Sequence, residues 1–349
     1  MFPTFKQSAL KLYRMLEFPA PAAGIVIFVN QWHSSYNFAM GFRRSQFALV
    51  AMLAASLYFV RCFTACAQYS QSDELAWRTQ HVADLQKPDG WLSLVGLEWL
   101  QPGETSIGSA ADNKIHLPAD APAHLAVLKL EDSSVMLLAP KEGFPAGLQI
   151  DGAPAKEQIL RADPDKDKFN ARVAIGTLNF YVIRRADDFA VRVKDEKSPA
   201  RTGFHGLNWF EPNGAYHVSA KWTPYVPAKA VLLDRLVGKS YSLPVPGVAE
   251  FTLQGRTFRL EPVLEDPKVA KLFFILKDTT STETTYPACR FLYTGFPDHG
   301  LDQPGELVLD FNHLENPPCA YTPYATCPLP PAGNRLTIAL PVGERRYHP

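Results

Sequence analysis

The chain has 349 residues, enough for two domains with a sizeable core in each. Its 35 basic and 35 acidic residues cancel, so no summed field draws it onto nucleic acid or an anionic membrane. Thirty prolines, 22 phenylalanines and 13 tyrosines in a chain that is 46% hydrophobic exclude a disordered or coiled-coil protein and indicate one rich in strands and turns.

In residues 1–39 the stretch "FPAPAAGIVIFVN" is apolar, but too short and proline-broken to span a bilayer. It reads as an upstream extension ahead of a natural start at Met40. Arg43 and Arg44 follow, then an uncharged run from Phe47 to Val60, then Arg61 and the small-residue site Ala65-Cys66-Ala67. That is the build of a secretory signal over residues 40–67. As a helix at about 1.5 Å per residue the run spans roughly 21 Å, short of the ~30 Å hydrocarbon core. A cleaved signal is therefore favoured over a permanent span. Phe63-Thr64-Ala65-Cys66 also resembles a lipobox, so an acylated Cys66 is the alternative mature N-terminus. The expectation is an exported protein, periplasmic or secreted, that meets a membrane only through its signal or a lipid anchor.

Asp73 is predicted to cap a short helix, residues 73–87, with Leu75, Trp77, His81 and Leu85 near helical spacing. Pro88-Asp89-Gly90 ends it as a turn, and "WLSLVGLEWL" has strand composition. Beyond it, short β-rich runs recur every eight to twelve residues or so with Gly, Pro, Asp and Asn between them. They include "KIHL", "LAVLKL", "VMLLA", "LNFYVIRR", "FAVRV", "AYHVSAKW", "AEFTL", "KLFFIL", "RFLYTGF", "ELVLDF" and "RLTIAL". The fold class is all-β: a β-sandwich over 88–190, then an antiparallel barrel or sandwich over 195–349.

"TSIGSAADNKIHLPADAPAHLAVLKLED", "GLQIDG" and "ARVAIGTLNFYVI" resemble, in order and spacing, the forkhead-associated β-sandwich. The resemblance implies that fold. The family binds phosphothreonine through an arginine and a serine, whereas Ser109 and Ala121 stand at those positions here. A phosphate dianion needs a bidentate cation and a hydroxyl donor, so phosphopeptide binding is not expected. "SPARTGFHGLNWFEPNGAYHVSAKWTPY", "KDTTSTETTYPACRFLY" and "LDFNHLENPPCAYTPYATCPLPPAGNRL" resemble the bacterial family of domain of unknown function sixteen-eighty-four, over about Asp73 to Tyr347. Thr282 and Cys289 stand where that family has glycine. The family implies a fold and no reaction.

No G-x-S-x-G elbow, P-loop, G-x-G-x-x-G fingerprint or H-E-x-x-H occurs, and no cofactor is implied. Asp310, Asn312, His313, Glu315 and Asn316 crowd the end of the strand "ELVLD", where a loop can present them. They would either hold the irregular backbone that follows, as Asx side chains do, or contact a ligand. Asp278, Ser281, Tyr286 and Arg290 are the other ligand-binding candidates, although Asp278 and Ser281 also suit a polar hairpin. The leading reading is a binding or interaction module for a small molecule, glycan or protein, around Arg290 and Asp310 to Asn316. The rival is a hydrolase with Asp310 as general base or Cys319 as nucleophile, and Asn312 among its oxyanion donors. His313, Cys319 and Cys327 lack the C-x₂₋₄-C spacing of a zinc site, so no metal is expected from them. In an oxidising compartment Cys319 and Cys327 are expected to pair and pin a proline-rich loop, leaving Cys289 as a buried thiol. Trp209, Phe210, Tyr216, Trp222 and Tyr225 are expected to form an aromatic-rich hairpin, for sheet packing or a flat ligand.

Overall fold

The computed structural model describes residues 69–348 except 163–169, 186, 237 and 267. The upstream extension, the signal segment and Cys66 lie outside the described residues. Helix α1 (Gln71–Leu85) is capped by Ser70, whose hydroxyl accepts from the Asp73 amide at 3.3 Å. The cap is therefore Ser70 and not Asp73. Asp73 and Glu74 fall instead in the first turn, where carboxylates complement the helix dipole. Glu74, Arg78 and Leu85 are buried, and with Trp77 and His81 they form one stripe at steps of three and four, the inward side of the helix.

Among the described residues eleven strands make the sandwich: β1 (Leu94–Trp99), β2 (Gly103–Gly108), β3 (Ile115–His116), β4 (Ala126–Glu131), β5 (Ser134–Leu138), β6 (Gln149–Ile150), β7 (Ala153–Pro154), β8 (Gln158–Leu160), β9 (Val173–Ile175), β10 (Leu178–Arg185) and β11 (Asp188–Asp195). One sheet runs β1-β11-β10-β9-β6-β7 and the other β3-β2-β4-β5-β8. Ile107, Leu128 and Leu137 from the second sheet meet Val173, Phe180 and Val191 from the first in a single core. Val135 and Leu137 of β5 alternate with less buried neighbours, as a one-sided strand requires. In β11, by contrast, Phe189 to Val193 are all buried, because Phe189, Val191 and Val193 fill the core while Arg192 points from the opposite face toward the C-terminal half.

After α2 (Pro199–Thr202) come β12 (His217–Leu233), β13 (Tyr241–Leu253), β14 (Arg256–Leu260), β15 (Leu272–Leu276), β16 (Arg290–Thr294) and β17 (Gly305–Asp310). A four-stranded antiparallel sheet, β14-β13-β12-β17, lies beside the β15-β16 pair. Both sheets are open among the described residues, so of the two expected architectures the barrel is not formed. The expected aromatic hairpin is dispersed. Trp222 is fully buried with its indole N–H donating to the Leu301 carbonyl, whereas Trp209 precedes β12 and packs on α1.

"RLTIAL" is not a strand either. Leu336, Ile338 and Leu340 do alternate inward, which is the period-2 signal the sequence shows. However, the Leu336 amide donates to the Lys277 carbonyl, and the Leu340 amide donates to the Asp278 carboxylate. The segment is an extended strap held by scattered bonds, from the backbone of Lys277 and Thr279 and from the side chains of Asp278 and Arg290, rather than by a regular ladder.

Candidate functional site

Arg290 is expected at a ligand, but it lies wholly inside the protein. Its guanidinium is 2.6 Å from Asp278 and also donates to the strap carbonyls of Leu340 and Val342. The other Asp278 oxygen accepts from the Thr280 amide and hydroxyl, while the Ser281 hydroxyl accepts the Asp278 amide. With both partners buried, the pair clamps the strap and offers nothing to a ligand. Gly343, at the end of the strap, has φ +76°, and a Cβ there would come within 2.8 Å of Leu314 Cβ. Gly343→Ala is expected to cost about 1–3 kcal/mol of stability, read as a lower urea midpoint, from the left-handed backbone alone.

The cluster after β17 divides: His313 and Glu315 reach α1, Asp310 reaches β12, and Asn312 and Asn316 hold neighbouring backbone. Asp310 Oδ1 accepts from the Asn312 amide and side chain, and Oδ2 lies 2.9 Å from His217 Nδ1 on β12. Asn312 is fully buried and exchanges two hydrogen bonds with the Asn213 backbone, which is the turn-holding role open to it. His313 stacks on Trp77 with ring centroids 4.3 Å apart, and its Nε2 is 2.9 Å from Glu74. Trp77 in turn stacks on His81, and Trp209 meets both rings edge-on. His81 reaches Glu344 at 2.6 Å and Glu315 at 3.4 Å. Burial by itself would lower the His81 imidazole, yet the Glu344 and Glu315 carboxylates outweigh it and hold it above its ordinary value. Burial pushes the Glu315 carboxyl up to about 7, with His81 opposing and Glu344 reinforcing. Asn316 is buried and tied to the strap through Glu344 and the Arg345 carbonyl.

Glu315 also lines a cleft of about 540 Å³ between β10 and β11 of the sandwich and the segment 318–328. Cys319 and Cys327 are joined, with Cα atoms 6.2 Å apart, so Cys319 carries no free thiolate for nucleophilic attack. The loop they close supplies Ala325 and Thr326 to one wall, with Pro318 just before it, and the Tyr286 hydroxyl steadies it from outside by donating to the Cys319 carbonyl. Cys289 stays a buried thiol whose ionisation burial pushes up to about 12. Native protein at pH 8 is expected to leave it unalkylated by iodoacetamide, with labelling only after denaturation.

Arg184, Arg185, Arg192 and Arg235 all border the cleft. Arg192 is 6% exposed; it lies over the Trp91 ring and donates weakly to the Thr326 hydroxyl at 3.4 Å. Arg235 stacks 3.7 Å from the Tyr241 ring centroid. The Nε of each is buried without a hydrogen-bond partner. Facing them are Glu315 and Glu265, and burial raises the carboxyl of Glu265 as well. Four arginines against these two carboxyls give the cleft a net positive lining.

Sequence reasoning missed Glu74, Arg192, His217, Arg235 and Glu344. A signal existed for the first: Glu74, Trp77, Arg78 and His81 share one helical stripe, and a charged, aromatic stripe is unusual for packing alone. In the sandwich, Ser109 donates to the Ala121 carbonyl, His124 pairs with Asp112 and Asp151 with Arg161. The positions corresponding to a phosphothreonine site are thus internally satisfied.

Residues 202–345 match the family described as Protein of unknown function (DUF1684), a shorter span than the Asp73 to Tyr347 resemblance. An uncharacterised protein of Haloarcula marismortui, solved by solution NMR, is 29% identical over 42% of this chain and 78% of its own, with a TM-score of 0.36. The FhaA FHA domain, solved in complex with the intracellular domain of Rv3910, is 17% identical over 28% of this chain and 97% of its own, with a TM-score of 0.17. No curated protein matches.

Proposed function

We propose that this chain, whose residues 202–345 match DUF1684, binds a small organic anion in the arginine-lined cleft. The observation that carries the reading is the gathering of Arg184, Arg185, Arg192 and Arg235 around one cleft. A carboxylate or phosphate matches the fork of a guanidinium and gains charge-assisted hydrogen bonds from it. Tyr241, Tyr293 and Phe273 line the same space, so the rest of the ligand is apolar or planar. The volume suits a single small molecule. Hydrolysis is less well supported, because Cys319 is joined to Cys327 and Asp310 does not line the arginine-rich cleft.

The test is a thermal-shift and calorimetric comparison of 4-hydroxybenzoate, glucose 6-phosphate and inorganic phosphate against glucose and phenol. The organic anions should raise the melting temperature, and Arg192→Met should weaken their binding at least tenfold, since losing one charge-assisted contact costs about 1.5–3 kcal/mol. Equal responses to charged and neutral compounds would refute the cleft. We further infer export, supported by the signal-like segment 40–67 and by the cysteine pairing. Mass spectrometry of the mature protein is expected to find Gln68, or an acylated Cys66, at its N-terminus.

A further inference from the structure

We propose that Glu74, Asp310 and His313 bind one divalent transition-metal ion of the zinc class, at the junction of α1 with the end of β17. One ligand atom from each of the three residues lies within 4.8 Å of the others. Glu74 is 1% exposed. Its Oε1 is held by Arg78 Nε at 2.6 Å, yet Oε2 makes no hydrogen bond although His313 Nε2 is only 2.9 Å away. The two atoms are near one another but misaligned for a proton between them. A buried carboxylate oxygen left in that state is costly, and a cation shared by the oxygen and the ring nitrogen satisfies both.

The surroundings orient each ligand. Arg78 fixes one Glu74 oxygen, Asn312 fixes Asp310 Oδ1, and stacking on Trp77 sets the plane of the His313 ring. His217, 2.9 Å from Asp310 Oδ2, steadies the remaining oxygen. Arg78 is a like charge that weakens the site, but it sits on the Glu74 oxygen that does not face His313. One nitrogen and two oxygens without sulfur suit Zn²⁺ or Mn²⁺ rather than a soft ion. Three protein ligands leave a coordination position for water, and the His313 and Asp310 side chains, 30% and 16% exposed, open the site to solvent. This site shares no ligand with the arginine cleft, so the two can fail separately.

Full-length protein stripped with chelator should bind one Zn²⁺ per chain in calorimetry with ZnCl₂, bind MnCl₂ more weakly, and gain melting temperature on loading. His313→Asn and Asp310→Asn should each weaken zinc binding at least tenfold. His299→Asn, at a histidine whose side chain is 67% exposed, should leave it unchanged. Because either ligand variant could fail to fold, the unaltered protein carries a second readout: Zn²⁺ should protect His313 from diethylpyrocarbonate, followed by peptide mass spectrometry. Absence of a saturable one-to-one site, wild-type affinity in both folded ligand variants, or modification of His313 unaffected by Zn²⁺ would each overturn the proposal.

Discussion

Asp278→Ala is expected to lower the unfolding free energy by about 3–5 kcal/mol, the cost of stranding one partner of a buried ion pair. Arg290 has no solvent to turn to, since its side chain is wholly buried. What remains for it would be two strap carbonyls, neither of which carries a charge. The same change removes the acceptor of the Leu340 amide and of the Thr280 amide and hydroxyl, so the strap and the turn loosen together. Urea denaturation checks this, and a loss below about 1 kcal/mol would contradict the clamp. Replacing both partners by apolar residues, Asp278→Leu with Arg290→Met, should recover part of the loss, because the desolvation of two charges disappears with them. Recovery would separate the cost of an orphaned charge from any intrinsic worth of the pair.

Glu344→Ala is expected to cost about 3 kcal/mol and to release α1 locally. The carboxylate is fully buried, yet it accepts from the Asn316 amide at 2.8 Å and the Tyr321 hydroxyl at 2.7 Å and faces His81 at 2.6 Å. Each donor left unsatisfied costs about 1–3 kcal/mol, offset in part by relief of the buried charge. Since His81 is on the helix, amide exchange in residues 74–85 should accelerate more than exchange in the sandwich core. Glu344→Gln retains an acceptor and should lose less. Uniform acceleration throughout the protein would mean that Glu344 supports global stability only, without tethering α1.

Much of the fold is visible in the chain as written. The strands from "LAVLKL" to "ELVLDF" form where β-branched and aromatic residues alternate between turn residues, because the pleat and the burial of one face are local consequences of that pattern. The alternation of "RLTIAL" reports one buried face, but whether the backbone enters a ladder depends on what stands beside it, and there Asp278, Lys277 and Arg290 take the bonds. The helix start was readable only to within a few residues because Ser70 and Asp73 both suit a cap.

The sites divide in the same way. The cluster Asp310 to Asn316 is visible in the sequence because polar residues crowd a strand end, but its partners on β12, on α1 and near the C-terminus are not. Arg290 stays ambiguous from sequence, because a cation within a strand looks alike whether it faces water or a carboxylate twelve residues earlier. The sequence by itself determined the all-β class, the cysteine spacing that a small loop can close, and the polar segment after β17, all of which depend on neighbours close in the chain. Only the tertiary structure decided that Arg192 and Arg235 border one cleft and that Glu74 faces His313 across more than two hundred residues. Burial and charge pairing between distant segments arise from packing, and no local pattern encodes them.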